Sequence, residues 1–418
     1  MKLALVGAGQ RGMIYSEYAY NTKKVEIVAV VETDDQRRAT AAKKFNIPSR
    51  MQFASVEDFY QNGKIADAVI IASMDKDHYK QAMTALDLEY DILLEKPISP
   101  DPKECLEIQE KADKKGCKVI VCHVLRYTNF FATIKEIIDS RELGKVITIQ
   151  HNENIGNFHI AHSFVRGNWR RSDLSSPLIM QKSCHDMDIL TWLAGSEARR
   201  ITSFGSLSYF KEEKAPANST DRCLTCKAAE DCRFDALKAY MPVIGSWPAV
   251  AITADQTEEG IRKALMEGPY GKCVYRCDND VCDNQVVLIE FKNNVTVSFN
   301  LSGFTNKMSR TIKVMCENGE IRGDDSLNQI EVTRFASNGV DGFEQRVIHT
   351  GSVQGGHGGG DVALMDDFLQ LIETHSNSSR SSITQSVESH VMAFAAEQSR
   401  ITGKVIDMDE FKEELRNF

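Results

Sequence analysis

The chain has 418 residues, room for two to three domains at about 150 residues each. Its 50 Lys plus Arg against 59 Asp plus Glu leave a net charge of −9, which argues against a nucleic-acid partner, because phosphate binding wants a basic face. A composition 42% hydrophobic and 26% charged excludes disorder as the main state, and no apolar run approaches the roughly 18 residues of a membrane helix.

The opening MKLALVGAGQRG starts like a signal peptide, but its apolar run stops at a Gly-x-Gly turn with no cleavage pattern after it. It reads as the first strand, over 2–6, of a cytoplasmic protein. A helix over 10–22, a strand over 26–31 and a helix over 35–45 follow. Strands over 68–73, 91–94 and 118–122 then alternate with helices over 77–88 and 103–115. Strand–helix alternation at this spacing predicts a doubly wound parallel sheet, a Rossmann-type unit over 1–122. After 122 the pattern changes. Helices are expected over 131–140, 184–193, 362–374 and 384–402. Period-two runs over 146–153, 200–207, 286–292, 295–302, 311–316 and 320–323 predict a large, mostly antiparallel sheet, giving an α+β unit over 123–418. Residues 208–283 are irregular and polar and carry six of the eleven cysteines, as an insertion would. An odd cysteine count, so unevenly spread, does not fit a secreted disulfide framework.

Gly7-Ala8-Gly9-Gln10-Arg11-Gly12 follows a strand and opens a helix. Glycines there permit a tight turn and close approach of the backbone to a pyrophosphate, at a helix N-terminus whose dipole favours anions. Glu32 lies at the end of the second strand, 20 residues after Gly12, where a carboxylate can accept bonds from a ribose hydroxyl. A carboxylate would repel a 2′-phosphate, so NAD is favoured over NADP. Arg37 and Arg38, a turn later, weaken that preference and leave NADP open.

Leu93-Leu94-Glu95-Lys96-Pro97 ends a parallel strand, and residues there face the ligand crevice. A lysine beside a nicotinamide can relay the proton of a substrate hydroxyl as hydride leaves the same carbon; the competing reading is a solvated lysine before a proline turn. Gln181-Lys182-Ser183-Cys184-His185-Asp186-Met187-Asp188 opens a helix, and His185 has the unperturbed pKa of a base near neutrality. A core histidine is the competing reading there.

These residues carry a resemblance. GAGQRG, Glu32, the segment from Ala72 to His78, Glu95-Lys96-Pro97, Arg126-Tyr127 and His185-Asp186-Met187-Asp188 occur in the order of the Gfo/Idh/MocA family of oxidoreductases, over nearly the whole chain. The resemblance implies that Lys96 and His185 are the catalytic acid–base pair. Ser73, Asp75 and His78 would line the nicotinamide side with Glu95. Arg126 and Tyr127 would stand between cofactor and substrate. It also implies a homodimer or homotetramer built on the large sheet. Its expected chemistry is hydride transfer between NAD(P) and a carbinol carbon of a sugar, sugar acid or cyclitol. Relatives suggest two alternatives: a glycosidase that oxidises a sugar ring transiently with bound NAD, and a non-catalytic dinucleotide sensor. One position departs from the family. Many members carry aspartate four residues before the histidine, and here Gln181, with Lys182 beside it, cannot share a proton.

The run from His159 to Trp169 mixes hydrogen-bonding side chains with an aromatic face, as sugar recognition requires, or is a polar surface loop. The resemblance favours His162, Arg166 and Trp169 as substrate contacts, with Lys182. In Gly355-Gly356-His357-Gly358-Gly359-Gly360-Asp361, His357 is a further substrate candidate, and a flexible linker is the alternative. Cys223, Cys226, Cys232 and Cys273 form a C-x-x-C hook plus two thiols. They suit a structural zinc or an iron–sulfur cluster, against the alternative of buried reduced thiols.

Overall fold

The computed structural model describes residues 1–336, 343–351, 356–376 and 379–417, without the side chains at 356 and 357. Strands β1 (Lys2–Val6), β2 (Glu26–Val31), β3 (Gln52–Phe53), β4 (Ala68–Ile71), β5 (Asp91–Leu94) and β6 (Val119–Val121) alternate with helices α1 (Gln10–Asn21), α2 (Asp35–Phe45), α3 (Val56–Tyr60), α4 (Asp75–Asp87) and α5 (Pro102–Lys115). The strands form one parallel sheet in the order β3-β2-β1-β4-β5-β6. β1 and β4 are almost wholly apolar because helices cover both faces. The strand order reverses between β1 and β4, which opens a crevice at their carboxyl ends. Local chemistry sets the helix ends. The Asp34 and Asp101 side chains cap α2 and α5, and Asn46 and Gly116 end them in the left-handed conformation.

The chain continues through α6 (Asn129–Asp139), β7 (Val146–Asn154), one turn α7 (Asn157–His159) and π-helical turns over Ile160–Arg166 to α8 (Leu178–Ala194) and β8 (Ala198–Ser206). The insertion contributes α9 (Ala236–Tyr240) and α10 (Glu258–Glu267). Then come β9 (Asn284–Phe291), β10 (Thr296–Ser302), β11 (Ser309–Cys316), β12 (Gly319–Asp324), β13 (Gln329–Phe335) and β14 (Phe343–His349). The described chain ends with α11 (Gly360–Thr374), α12 (Ile383–Thr402), β15 (Ile406–Asp407) and α13 (Met408–Asn417). Nine strands form the second sheet, ordered β14-β13-β12-β11-β7-β10-β9-β8-β15. Its pairs are antiparallel except for β7 with β10.

Helix α8 is buried on nearly every side and starts six residues before the expected 184, directly after Pro177. Helix α11 returns to the first unit: Leu364, Met365, Phe368 and Ile372 share a core with Leu3, Leu5, Ile27 and Val30. No described helix is long and apolar enough to cross a membrane. The expected polar run near 160 is instead buried from Ile160 to Arg166.

Candidate active site

The glycine turn has the geometry its motif demands. Gly7 sits at φ +89°, and a Cβ there would lie 2.6 Å from the Ala72 carbonyl. At Gly12 a Cβ would lie 2.1 Å from the Gly7 carbonyl oxygen, so this glycine lets α1 press against the turn. Gly9 instead faces open space. Gly7, Gly9, Glu32, Arg37 and Ser73 line a cavity of 250 Å³. The Glu32 carboxylate is already oriented: it accepts from the Ala8 amide at 2.9 Å and the Asp34 amide at 3.1 Å.

Ser73 also lines a second, inner cavity of 320 Å³, together with Asp75, His78, Lys96, Gln181, Lys182 and His185. The Lys96 amide donates to Glu95 Oε2 at 2.7 Å, and its ammonium donates to the Gln181 carbonyl at 3.0 Å. His78 bridges the carbonyls of Pro97 at 2.8 Å and Ser73 at 3.3 Å, which ties the lysine's turn to the end of β4. Gln181, in the family's usual aspartate position, donates its amide to buried Asp75. It is a strap between α8 and α4, not a proton carrier. His185 is buried and stands edge-on to His123, at 5.6 Å between centroids. His123 stands edge-on to His390 at 5.5 Å. Burial holds the His123 pKa well below the usual range and lowers that of His390 to about 3.

Beyond Trp169 an outer cavity of 510 Å³ is lined by Gln10, Glu153, His159, His162, Trp247, Tyr270, Arg310 and Asp325, among others. His159, Trp169, Lys182 and Arg310 line both the inner and outer cavities. Buried charges form its floor. Arg310 donates to Asp186 at 2.8 Å and pairs with Glu153, and the Lys182 ammonium lies 3.4 Å from Glu153. His151 shares a 2.8 Å hydrogen bond with Asp186. Register explains the grouping, because Arg310 pairs with Glu153 across β11 and β7 on the sheet's inner face. Burial pushes the Glu153 pKa up and the Lys182 pKa down. Burial also opposes ionisation of Asp186, but Arg310 and His151 outweigh it and hold that carboxyl low.

Two family models match: the oxidoreductase family's NAD-binding Rossmann fold over residues 1–123 and its C-terminal alpha/beta domain over 135–408. The chain belongs to the Gfo/Idh/MocA oxidoreductase family. The candidate oxidoreductase YteT of Bacillus subtilis is 24% identical over 357 residues, 82% of each chain. Inositol 2-dehydrogenase of Corynebacterium glutamicum is 28% identical over 203 residues, 47% of this chain and 55% of that one. A levoglucosan dehydrogenase, solved with NADH and levoglucosan, superposes with a TM-score of 0.70 at 16% identity over 98% of this chain and 99% of that one. Membership makes the protein a nicotinamide-dependent oxidoreductase and agrees with the two sheets described above.

Several residues that the family resemblance picked out lie elsewhere or are otherwise engaged. Arg126 is buried behind the cavity, with a bidentate pair to Asp188 at 2.7 and 2.8 Å and further bonds to the Arg380 carbonyl and Gln385. Four of its five N–H groups are taken up by α8, by α12 and by the chain just before α12. Tyr127 donates to Asp367 at 2.6 Å and packs in the core under α11. Neither lines the cavities described. Arg11 and Glu95 reach the inner cavity's edge but bind each other at 2.9 Å. Arg11 also holds Asp361, and this lock joins α1, β5 and α11. Burial would raise the Glu95 pKa, but Arg11 and Lys96 outweigh it and keep it low. Gln10 opens onto the outer cavity instead of the nucleotide groove. The His357 side chain lies outside the described residues.

Arg166 is also a correction. It is buried and donates to the Lys272 carbonyl at 2.7 Å, the Phe234 carbonyl at 2.8 Å and Cys223 Sγ at 3.2 Å. It anchors the insertion and lines neither the inner nor the outer cavity. Cys223, Cys226, Cys232 and Cys273 do line one small cavity with it, and four thiols are chemically a zinc donor set. Yet among the described residues no three His, Cys, Asp or Glu side chains are arranged to hold a metal ion. As placed, the thiols do not fit that expectation.

Sequence reasoning did not single out Glu153, Trp247, Tyr270, Arg310 or Asp325, and it took in His159 only as the start of the run to Trp169. Of the five not singled out, Glu153 carried a signal: an acidic residue at a core-facing position of a period-two strand.

Proposed function

We propose that this protein transfers hydride between NAD and a carbinol carbon of a sugar-like polyol, with Lys96 and His185 handling the hydroxyl proton. The observation that carries this reading is one connected space. Lys96, from the end of β5, and His185, from α8, share a cavity that meets the nucleotide cavity at Ser73 and a hydroxyl-friendly outer cavity at Trp169. Inositol 2-dehydrogenase and levoglucosan dehydrogenase, among the relatives, are named for polyhydroxy substrates, which supports the substrate class.

NAD fits the nucleotide side, where Gly9 leaves backbone open to a pyrophosphate, Gly7 allows the tight turn, and Glu32 offers a fixed carboxylate to a ribose. When bound, it supplies the hydride acceptor or donor. Lys96, held by Gln181 and the Glu95 turn, takes the hydroxyl proton or returns it. His185 positions the same hydroxyl from the opposite wall. Gln181 engages one oxygen of Asp75 and ties it to α8. We extend the proposal to a homodimer or homotetramer joined through the sheet's outer face, where exposed Phe204 and Val286 stand opposite each other on β8 and β9 near Leu288.

The test is the appearance of reduced nicotinamide when protein and NAD meet a panel of sugars, sugar acids and cyclitols. Turnover on one such class is expected. Reduction with simple alcohols but with no member of the panel would overturn the substrate class, and no reduction at all would overturn the activity.

A further inference from the structure

The outer cavity is larger than the inner one, and Lys96 and His185 do not line it. A substrate carbon between those two residues lies in the inner space, so whatever fills the outer space is a second part of the ligand. Its far wall comes from the insertion, through Trp247, Ala251 and Tyr270.

That wall is a braced aromatic surface. Phe158, His162 and Tyr270 form a face-to-face stack, with centroids 6.1 and 4.8 Å apart and planes within 18°. Trp247 stands across it, its plane at 77–90° to Phe158, His159 and His162 at 5.4–6.2 Å. His162 is fixed by a 2.8 Å hydrogen bond with Tyr240. Despite these contacts Trp247 remains 40% exposed at the cavity. Trp169, where the cavities meet, is 39% exposed and leans on Phe164 at 5.7 Å. Trp247 in the outer space and Trp169 at the junction are therefore half-exposed indoles, held by packing and offering apolar area to a ligand ring.

Charge narrows the ligand. The two cations on the cavity's floor, Lys182 and Arg310, are matched by Glu153 and Asp186, and Asp325 adds a further carboxylate. Burial keeps His159 and His162 neutral near pH 7, with pKa values lowered to about 2 and about 4. Among the described residues lining the outer cavity, no spare positive charge awaits a phosphate or carboxylate. Ser163, Asn168 and Ser309 add neutral polar groups that suit hydroxyls.

We propose that the outer cavity is a second sugar subsite and that the substrate is a neutral glycoside of at least two rings. The ring to be oxidised sits between Lys96 and His185, and the next ring rests against Trp247. This rests on the polyol reading above.

The experiment compares kcat/KM on neutral disaccharides with that on their parent monosaccharides, for the native protein and for Trp247→Ala and Ala251→Phe. The second variant fills the subsite and removes no packing. The expected result is a disaccharide advantage of about tenfold or more, the size of a stacked-ring contact, that both variants collapse. Equal rates on both sugar sizes, or an advantage that both variants keep, would overturn the subsite while leaving the oxidation reading intact. The same pairs are titrated calorimetrically onto the protein–NADH complex. Disaccharide binding that depends on Trp247 without any turnover would support the subsite and remove the oxidation reading. Absence of binding and of turnover alike would overturn both.

Discussion

On the nucleotide side of the cavity the backbone does the shaping. Gly7 and Gly12 sit where a single Cβ would strike main chain, and Glu32 is placed by amides within two residues of the turn and of itself. On the substrate side, side chains do it, gathered from β7, the π-helical turns, α8, the insertion and β11. A backbone site tolerates almost no change at a few positions. A side-chain site can be retuned residue by residue, provided its buried charges stay balanced.

The largest effect is expected where that balance is broken. Arg310→Met leaves Glu153 and Asp186 facing each other in the interior, and should cost about 3–5 kcal/mol in denaturant unfolding. Unchanged stability would mean the carboxylates find water or protons easily. Next comes Gly7→Ala. A residue forced to φ +89° pays about 1–2 kcal/mol before its Cβ meets Ala72. NADH affinity, followed by nucleotide fluorescence, should fall at least about tenfold; native affinity would show that the turn can relax.

The same divide governs what could be read from the sequence. Helix α2, β5 and the glycine turn stand where periodicity and motif put them, because their causes are local. The two-residue β3 and the hairpin partners β13 and β14 were not read: a strand that short has no period, β13 buries only Ile330 and Val332, and β14 is exposed along nearly its whole length. Lys96 and His185 were legible as motifs. Arg310 was not, because its role depends on lying beside Glu153, 157 positions away in sequence. Arg126 and Arg166 were misjudged for the converse reason. An arginine in sequence looks available, and only the fold shows Asp188 or the Lys272 and Phe234 carbonyls engaging it.

Smaller effects sharpen the comparison. His159, His162 and His390 have pKa values lowered by burial to about 2, 4 and 3, below the roughly 6.5 of a free histidine. Below about pH 6.5 the unfolded chain binds protons that the fold refuses, so stability falls as pH drops. The slope approaches about 1.4 kcal/mol per pH unit for each histidine. Unfolding midpoints between pH 6.5 and 4 should show it, with His390→Asn flattening the slope by about one proton. A flat native profile would contradict the burial of these rings. Smallest is Glu32→Ser, which removes one carboxylate from the ribose end of the groove. It should shift preference toward NADP roughly fivefold, the scale of one exposed charge pair at about 1 kcal/mol. A preference that stays put would assign the choice to Arg37.

The central claim is that Lys96 carries the proton at the meeting point of the two sides. Its most direct measurement is single-turnover formation of NADH by NAD-loaded protein mixed with its sugar substrate, native against Lys96→Met. The account predicts a fast phase in the native protein that slows by roughly 10²-fold or more in the variant, with NADH affinity retained. An equally fast phase in the variant would contradict it.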